Sequence, residues 1–270
     1  MRPWPVCARN LKDADSVMKQ DVPQPWNALL AGAGALSIVF AWQYLLPLAG
    51  VPSYILPTPL EISRVFAKES TLLWNNFWPT VYEAVMGFLL GNGVAILLAV
   101  IFVMNRYLQA AYFPVILFLN TIPILALAPV IVLIFGLGVM PKIIIAAVIC
   151  FFPTLVNMIR GLESASANEH ELFRVLSASK FETLWKLRMP RALPFLFASL
   201  RISSATAVIG AVVGEWIGSD KGLGAMIIQA TFNYQSGRLY AAIVLCSFLA
   251  IVLFVIVVTI EKLVLRYERH

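Results

Sequence analysis

Residues 161–191 read GLESASANEHELFRVLSASKFETLWKLRMPR, a polar and basic stretch set between long apolar runs. Packed helices are usually joined by only a few residues, so a connection of this length calls for structure of its own. Two helix-start signatures lie inside it. Ser179 with Glu182 forms the S-x-x-E of a capping box, and Asn168 with Glu171 is a relative with Asn in place of Ser. The pattern predicts two short helices with a corner near 177–179. Leu172, Val175 and Leu176 share one face of the first, and Phe181, Leu184, Trp185 and Arg188 share a face of the second. Each helix then has an apolar side for a helical bundle and a polar side for water or a partner.

Six apolar runs surround this stretch. They cover Ala28–Leu48, Pro79–Met104, Tyr112–Phe135, Lys142–Ile159, Leu193–Ile217 and Leu239–Ile260. Each is long enough to cross a hydrocarbon core of about 30 Å as a helix. Isolated strands would leave backbone groups unpaired in lipid. The expected fold is therefore an all-α membrane protein, a polytopic bundle of about six transmembrane helices.

Composition agrees. Of 270 residues, 60% are hydrophobic and 13% charged, and the mean hydropathy is +0.85. A soluble domain carries about 25% charged residues, so a cytosolic enzyme, a disordered chain and a nucleic-acid module are all disfavoured. The net charge of +6 is then a statement about membrane orientation. Arg174, Lys180, Lys186, Arg188 and Arg191 lie in the 161–191 loop. Arg2, Arg9, Lys12 and Lys19 precede the first run, and Lys262, Arg266 and Arg269 follow the last. The opposite segments carry only Arg64, Lys68, Lys142, Lys221 and Arg238. Positive residues concentrate on the cytoplasmic side, which places the loop and both termini there. Residues 1–25 read as a cytoplasmic tail, too long and too acidic for the basic start of a signal peptide. Residues 26–270 form the membrane domain.

No catalytic constellation is present. The chain has no GxxxxGK[ST], HExxH or GxSxG, and its three cysteines, Cys7, Cys150 and Cys246, are scattered as buried apolar residues would be. Pro114, Pro123 and Pro129 interrupt the third run and read either as path-lining breaks or as satisfied kinks. Glu215, near the outer end of the fifth run, reads either as a functional charge or as a carboxylate that reaches water. Glu83 reads as interfacial and Arg201 as snorkelling to the inner headgroups. The small residues Ser203, Ser204, Ala207, Gly210 and Gly214 suit a dimer seam, a pore wall or packing within the chain.

The 161–191 stretch resembles the cytoplasmic coupling loop of binding-protein-dependent ABC importer permeases. That pattern runs E-A-A, three residues, G, nine residues, I-x-L-P. Here Glu171-Leu172-Phe173 is followed by Ser177 at the Gly position, Leu187 at the Ile position and Met189-Pro190 at the Leu-Pro positions. ILPTP at Ile55–Pro59, IPILALAPVIVLIFGLG at Ile122–Gly138, RALPFLFASLRI at Arg191–Ile202 and GEWIGSDKGLG at Gly214–Gly224 resemble the nitrate, sulfonate and taurine group of that family, which includes carriers of pyrimidine precursors.

The resemblance implies a permease subunit that moves a small polar solute, sulfonate-, nitrate- or taurine-like or pyrimidine-like, across the cytoplasmic membrane. It implies as partners two copies of an ATP-binding subunit, a second copy of the permease and an extracytoplasmic solute-binding protein. ATP and Mg²⁺ would sit on the ATPase, with no cofactor on this chain and no enzymatic activity of its own. Glu171, Leu172, Arg174, Ser177, Ser179, Phe181 and Pro190 would form the ATPase docking element, and Pro123, Pro129 and Glu215 would stand on the translocation path. The competing class is a stand-alone secondary transporter or channel. Such proteins often show inverted repeats, and none is apparent in the sequence.

Overall fold

The computed structural model describes residues 24–267, and all regular structure among them is helical. The N-terminal tail through residue 23, with Cys7, lies outside the described residues. The chain separates after Leu60 into two compact units. In the first, α1 (Gln24–Leu48) carries the apolar stretch Gly32–Leu45. Its following loop folds back on it: the Trp42 indole N–H donates to the Pro57 carbonyl at 3.1 Å, and the Leu60 N–H donates to Gln43 Oε1 at 3.1 Å.

The second unit begins with α2 (Pro59–Lys68), a short amphipathic helix that straddles the boundary and leads into that unit. It continues through α3 (Ser70–Met104), α4 (Arg106–Asn120), α5 (Ile124–Phe135) and α6 (Val139–Leu162). The loop forms α7 (Ala167–Val175). It is followed by α8 (Lys180–Glu215), α9 (Leu223–Phe232) and α10 (Ser236–Tyr267).

Where six spans are expected, four helices of the described residues are each long and apolar enough to cross a membrane: Ser70–Met104, Val139–Leu162, Lys180–Glu215 and Ser236–Leu265. The expected third span is not one helix. α4 and α5 meet at 103°, and at about 1.5 Å per residue neither alone spans ~30 Å. Pro123 is the cause: it has no N–H to give the preceding turn and it disfavours helical geometry at Ile122.

α6 is the central helix, packed between α3 and α8. Small residues let the three approach closely. A Cβ at Gly91 would run into the Ala147 backbone, and a Cβ at Gly210 would meet Ala146. Of the roles open to the small face of α8, Gly210 and Gly214 thus serve packing within the chain. A polar thread crosses the same contact: Thr154 Oγ1 donates to Asn92 Oδ1 at 2.5 Å and lies 3.3 Å from Ser203 Oγ.

Candidate functional site

The loop forms two capped helices with a corner, but the first cap is not where the sequence suggests. Ser166, not Asn168, opens α7: its hydroxyl accepts from the Glu169 N–H, and the Glu169 carboxylate accepts from the Ser166 N–H at 2.8 Å. Ser166-x-x-Glu169 has the full Ser–Glu chemistry of the box, and it also sets Glu169 against the Arg191 guanidinium at the base of the next helix. These two donors hold the Glu169 carboxyl below its ordinary value of 4.5. Glu171 is thereby released from capping. It is exposed and has no side-chain partner among the described residues. Beside it Leu172, Val175 and Leu176 are 56%, 77% and 67% exposed, an apolar face turned away from the bundle.

The corner has the geometry of a Schellman motif. The Ala178 N–H donates to the Phe173 carbonyl and the Ser177 N–H to the Arg174 carbonyl, each at 2.9 Å, with Ser177 at φ 54°. This left-handed position is where the coupling pattern places glycine. Ser177 occupies it at a conformational cost that glycine would not incur.

Ser179 and Glu182 close the second capping box as expected, and the Glu182 carboxyl is held below its ordinary value by the Ser179 N–H, the Ser179 hydroxyl and Lys186. From Lys180 the helix does not stop. It runs through a π-turn at Leu184–Arg188, where the Met189 N–H reaches back to the Leu184 carbonyl, and continues as the membrane span to Glu215. The π-turn lies immediately before Pro190, whose ring would clash with the Lys186 carbonyl in a regular turn; the wider turn relieves that clash. The expected shared face divides. Leu184 packs with Ala99, Phe102, Met158 and Leu162 in the core, and Leu187 is buried too. Phe181 and Trp185 stay outside, 63% and 54% exposed, with ring centroids 6.0 Å apart.

At the far end of α8 the surroundings invert. Glu215 does not reach water: it is fully buried. Its Oε1 accepts from Thr80 Oγ1 at 2.6 Å and its Oε2 from the Gly224 N–H at 2.5 Å. Thr80 Oγ1 accepts from the Leu223 N–H at 2.8 Å, and Asn76 Oδ1 accepts from the Gly222 N–H at 3.0 Å. Glu215 therefore caps the N-terminus of α9, a place that favours negative charge. Gly222, at φ 120°, leaves no room for a side chain against that carboxylate.

Glu83 is not interfacial either. It is 1% exposed and pairs with Lys142 at 2.9 Å, and Lys142 also donates to Ser219 Oγ at 2.7 Å. Lys142, counted among the outer loop residues, is buried where α3, α6 and the α8–α9 connection meet. The sequence signal available for this pair was its two lone opposite charges near the same end of apolar helices. Arg201, expected to reach the headgroups, pairs with Glu261 of α10 at 2.7 Å. Pro123 and Pro129 stand at the start and inside of α5, on the limb of the bent pair beyond the break.

The fold is an all-helical membrane bundle whose long span extends into an exposed, capped helical hairpin. The chain belongs to the family described as the binding-protein-dependent transport system inner membrane component, whose model matches residues 91–266. It is a permease subunit of an ABC importer.

Among its relatives is the formylaminopyrimidine transport permease protein of Halalkalibacterium halodurans, 31% identical over 235 residues, covering 87% of this chain and 94% of that one. The riboflavin transport system permease protein of Chloroflexus aurantiacus is 33% identical over 245 residues, covering 90% of this chain and 91% of that one. The fold is shared with a chain of the MetNI methionine ABC transporter solved in inward-facing conformations. That match has a TM-score of 0.60 at 21% identity and covers 74% of this chain and 98% of that chain.

Proposed function

We propose that two copies of this chain assemble with two ATP-binding subunits and an extracytoplasmic solute-binding protein in the cytoplasmic membrane, with both termini and the α7–α8 hairpin on the inside. The bias of Lys and Arg supports that orientation. ATP and Mg²⁺ belong to the ATPase subunits. Residues 26–270 act as the permease domain, and its hairpin is the seat of the ATPase. Leu172 and Phe181 offer apolar contact and Glu171 an unmatched charge. Ser177 and Ser179 set the angle between the helices, Arg174 stands on the flank of α7, and Pro190 with its π-turn is the joint where the hairpin enters the span.

One observation carries this reading. The helix Lys180–Glu215 is unbroken over 36 residues, about 54 Å at 1.5 Å per residue. A tilt imposed at Phe181 and Trp185 is delivered to the buried knot around Glu215 without passing through a loop. Rocking of α8 against the bent α4–α5 pair would open and close a path beside Pro123 and Pro129, with Glu215 shaping its outer end. The solute is small and polar, sulfonate-, nitrate- or taurine-like or pyrimidine-like. Relatives named for formylaminopyrimidine, riboflavin and aliphatic sulfonates, 31%, 33% and 32% identical, support that range.

The test is recovery of the tagged chain from its native membranes in mild detergent, with mass spectrometry of its companions. A P-loop ATPase should accompany the chain and be lost in Glu171→Ala/Phe181→Ala. A chain recovered alone, under conditions that keep other complexes intact, would overturn the reading and leave the stand-alone transporter.

A further inference from the structure

The cations of the α7–α8 hairpin fall into two groups. Lys186 and Arg191 are matched, by Glu182 and Glu169. Arg174, Lys180 and Arg188 have no hydrogen-bonding or ion-pair partner for their side chains among the described residues, nor has His170, and all four line one groove of about 620 Å³. Among the described residues no carboxylate lines that groove. Three permanent positive charges gathered around one concavity repel one another unless an anion joins them.

Two apolar side chains at the end of α3 also line the groove. They are Val103 and Met104, the last residues of the α3 helix. Cationic pockets beside the cytoplasmic ends of spans have the chemistry to hold lipid headgroups.

The alternative occupant is an acidic element of the ATPase, and the geometry of α7 argues against it. At roughly 100° per residue, His170 and Arg174 lie on one side of the helix. Leu172, Val175 and Leu176, the exposed apolar face, centre on the opposite side. A partner seated on the α7 apolar face leaves His170 and Arg174 on the far side of that helix, while on α8 Arg188 borders the Phe181–Trp185 face.

We propose that this groove binds the phosphate of an anionic phospholipid of the cytoplasmic leaflet, with Arg174, Lys180 and Arg188 around the phosphate and the glycerol end against Val103 and Met104. The lipid then acts as a wedge between α7 and the end of α3 and sets the angle at which the hairpin is presented. The proposal rests on the inward orientation of the hairpin argued above.

The test uses the full chain, purified in non-ionic detergent with whatever subunits co-elute. It is titrated with phosphatidylglycerol or phosphatidylcholine, and bound lipid is counted by native mass spectrometry. Arg174 and Lys180 are both exposed, so their substitution spares the core. Phosphatidylglycerol should bind in preference to phosphatidylcholine. Its binding should weaken about tenfold or more in Arg174→Gln/Lys180→Gln and return in Arg174→Lys/Lys180→Arg. Millimolar inorganic phosphate should not displace it.

Equal phosphatidylglycerol binding by the wild type and the Gln variant overturns the proposal. Displacement by inorganic phosphate also overturns it, in favour of a soluble anion. Loss of a co-eluting ATPase in the Gln variant with lipid binding unchanged overturns it as well and assigns the groove to the ATPase. A wild-type chain that brings no ATPase but binds phosphatidylglycerol through these residues would instead fell the docking reading alone.

Discussion

The two ends of α8 are built on opposite terms. Around Glu215 and Glu83 the polar groups are buried, and most of their atoms have a partner inside the chain. Around Phe181 and Glu171 side chains are exposed and short of partners. A buried ion pair is costly to disturb from one side and contributes little net stability when intact. An exposed apolar face on a capped helix contributes almost nothing to the fold. The contrast separates two environments along one rigid rod: the Glu215 end locks helices together, and the Phe181 end leaves its side chains exposed.

The strongest way to break this contrast is to remove one partner at the outer end. Lys142→Met leaves the Glu83 carboxylate buried beside Glu215 with no cation, and should cost about 3–5 kcal/mol. The measurement is thermal or denaturant unfolding in a fixed detergent. Pairing the change with Glu83→Gln should recover much of the loss, because the double variant removes the Glu83 charge that Lys142 had matched. If Lys142→Met unfolds like the wild type, the outer knot is not a lock.

The corner of the hairpin sharpens the comparison from the other side. Ser177 holds φ 54°, a region that costs a residue with a Cβ roughly 1–2 kcal/mol. Ser177→Gly should therefore raise stability by about 1 kcal/mol, and Ser177→Val should lower it by a comparable amount. The loop would tolerate both because Ser177 is exposed.

Smaller still on the stability scale are the exposed aromatics. Phe181→Ala/Trp185→Ala should shift unfolding by no more than about 0.5 kcal/mol while releasing the ATPase in the recovery experiment. A large loss of stability would mean that these rings belong to the core and not to a partner.

How far the sequence carried this picture depends on the kind of interaction. The apolar runs were legible because a bilayer demands length and hydropathy and little else. The hairpin was legible because Ser179-x-x-Glu182 is a local signal. The first cap was misplaced by two residues because Asn168-x-x-Glu171 and Ser166-x-x-Glu169 overlap; the latter is the full S-x-x-E signal, and Arg191, twenty-two positions from Glu169, adds an ion pair to it. Pro123 announced a break, yet no window of hydropathy carries the 103° angle. The Glu83–Lys142 pair, 59 residues apart, and the capping of α9 by Glu215 exist only once the helices are assembled. Hydropathy read these charges as edge residues because it sees position along the chain and not which helix ends converge.

Acid provides the mildest probe of the difference between the ends, and it acts on the hairpin end. Glu169 and Glu182 each have a folded-state pKa below the ordinary 4.5, lowered first by the N–H of their own cap residues. A carboxyl depressed by folding contributes stability that is fully present above its unfolded value and is lost as pH falls through the lower, folded one. Between neutral pH and about 5 the hairpin should hold, and below the ordinary carboxylate range both caps should loosen together. Amide hydrogen exchange at Glu169 and Glu182, the two N–H groups that the serine hydroxyls accept, reports this directly. Protection should fall with acid there before it falls in the α3–α6–α8 core, and Glu169→Gln should bring the loosening of α7 to neutral pH while leaving α8 unchanged. Simultaneous loss of protection in hairpin and core would mean that the two ends of α8 do not melt as separate units, and that the handle is part of the lock.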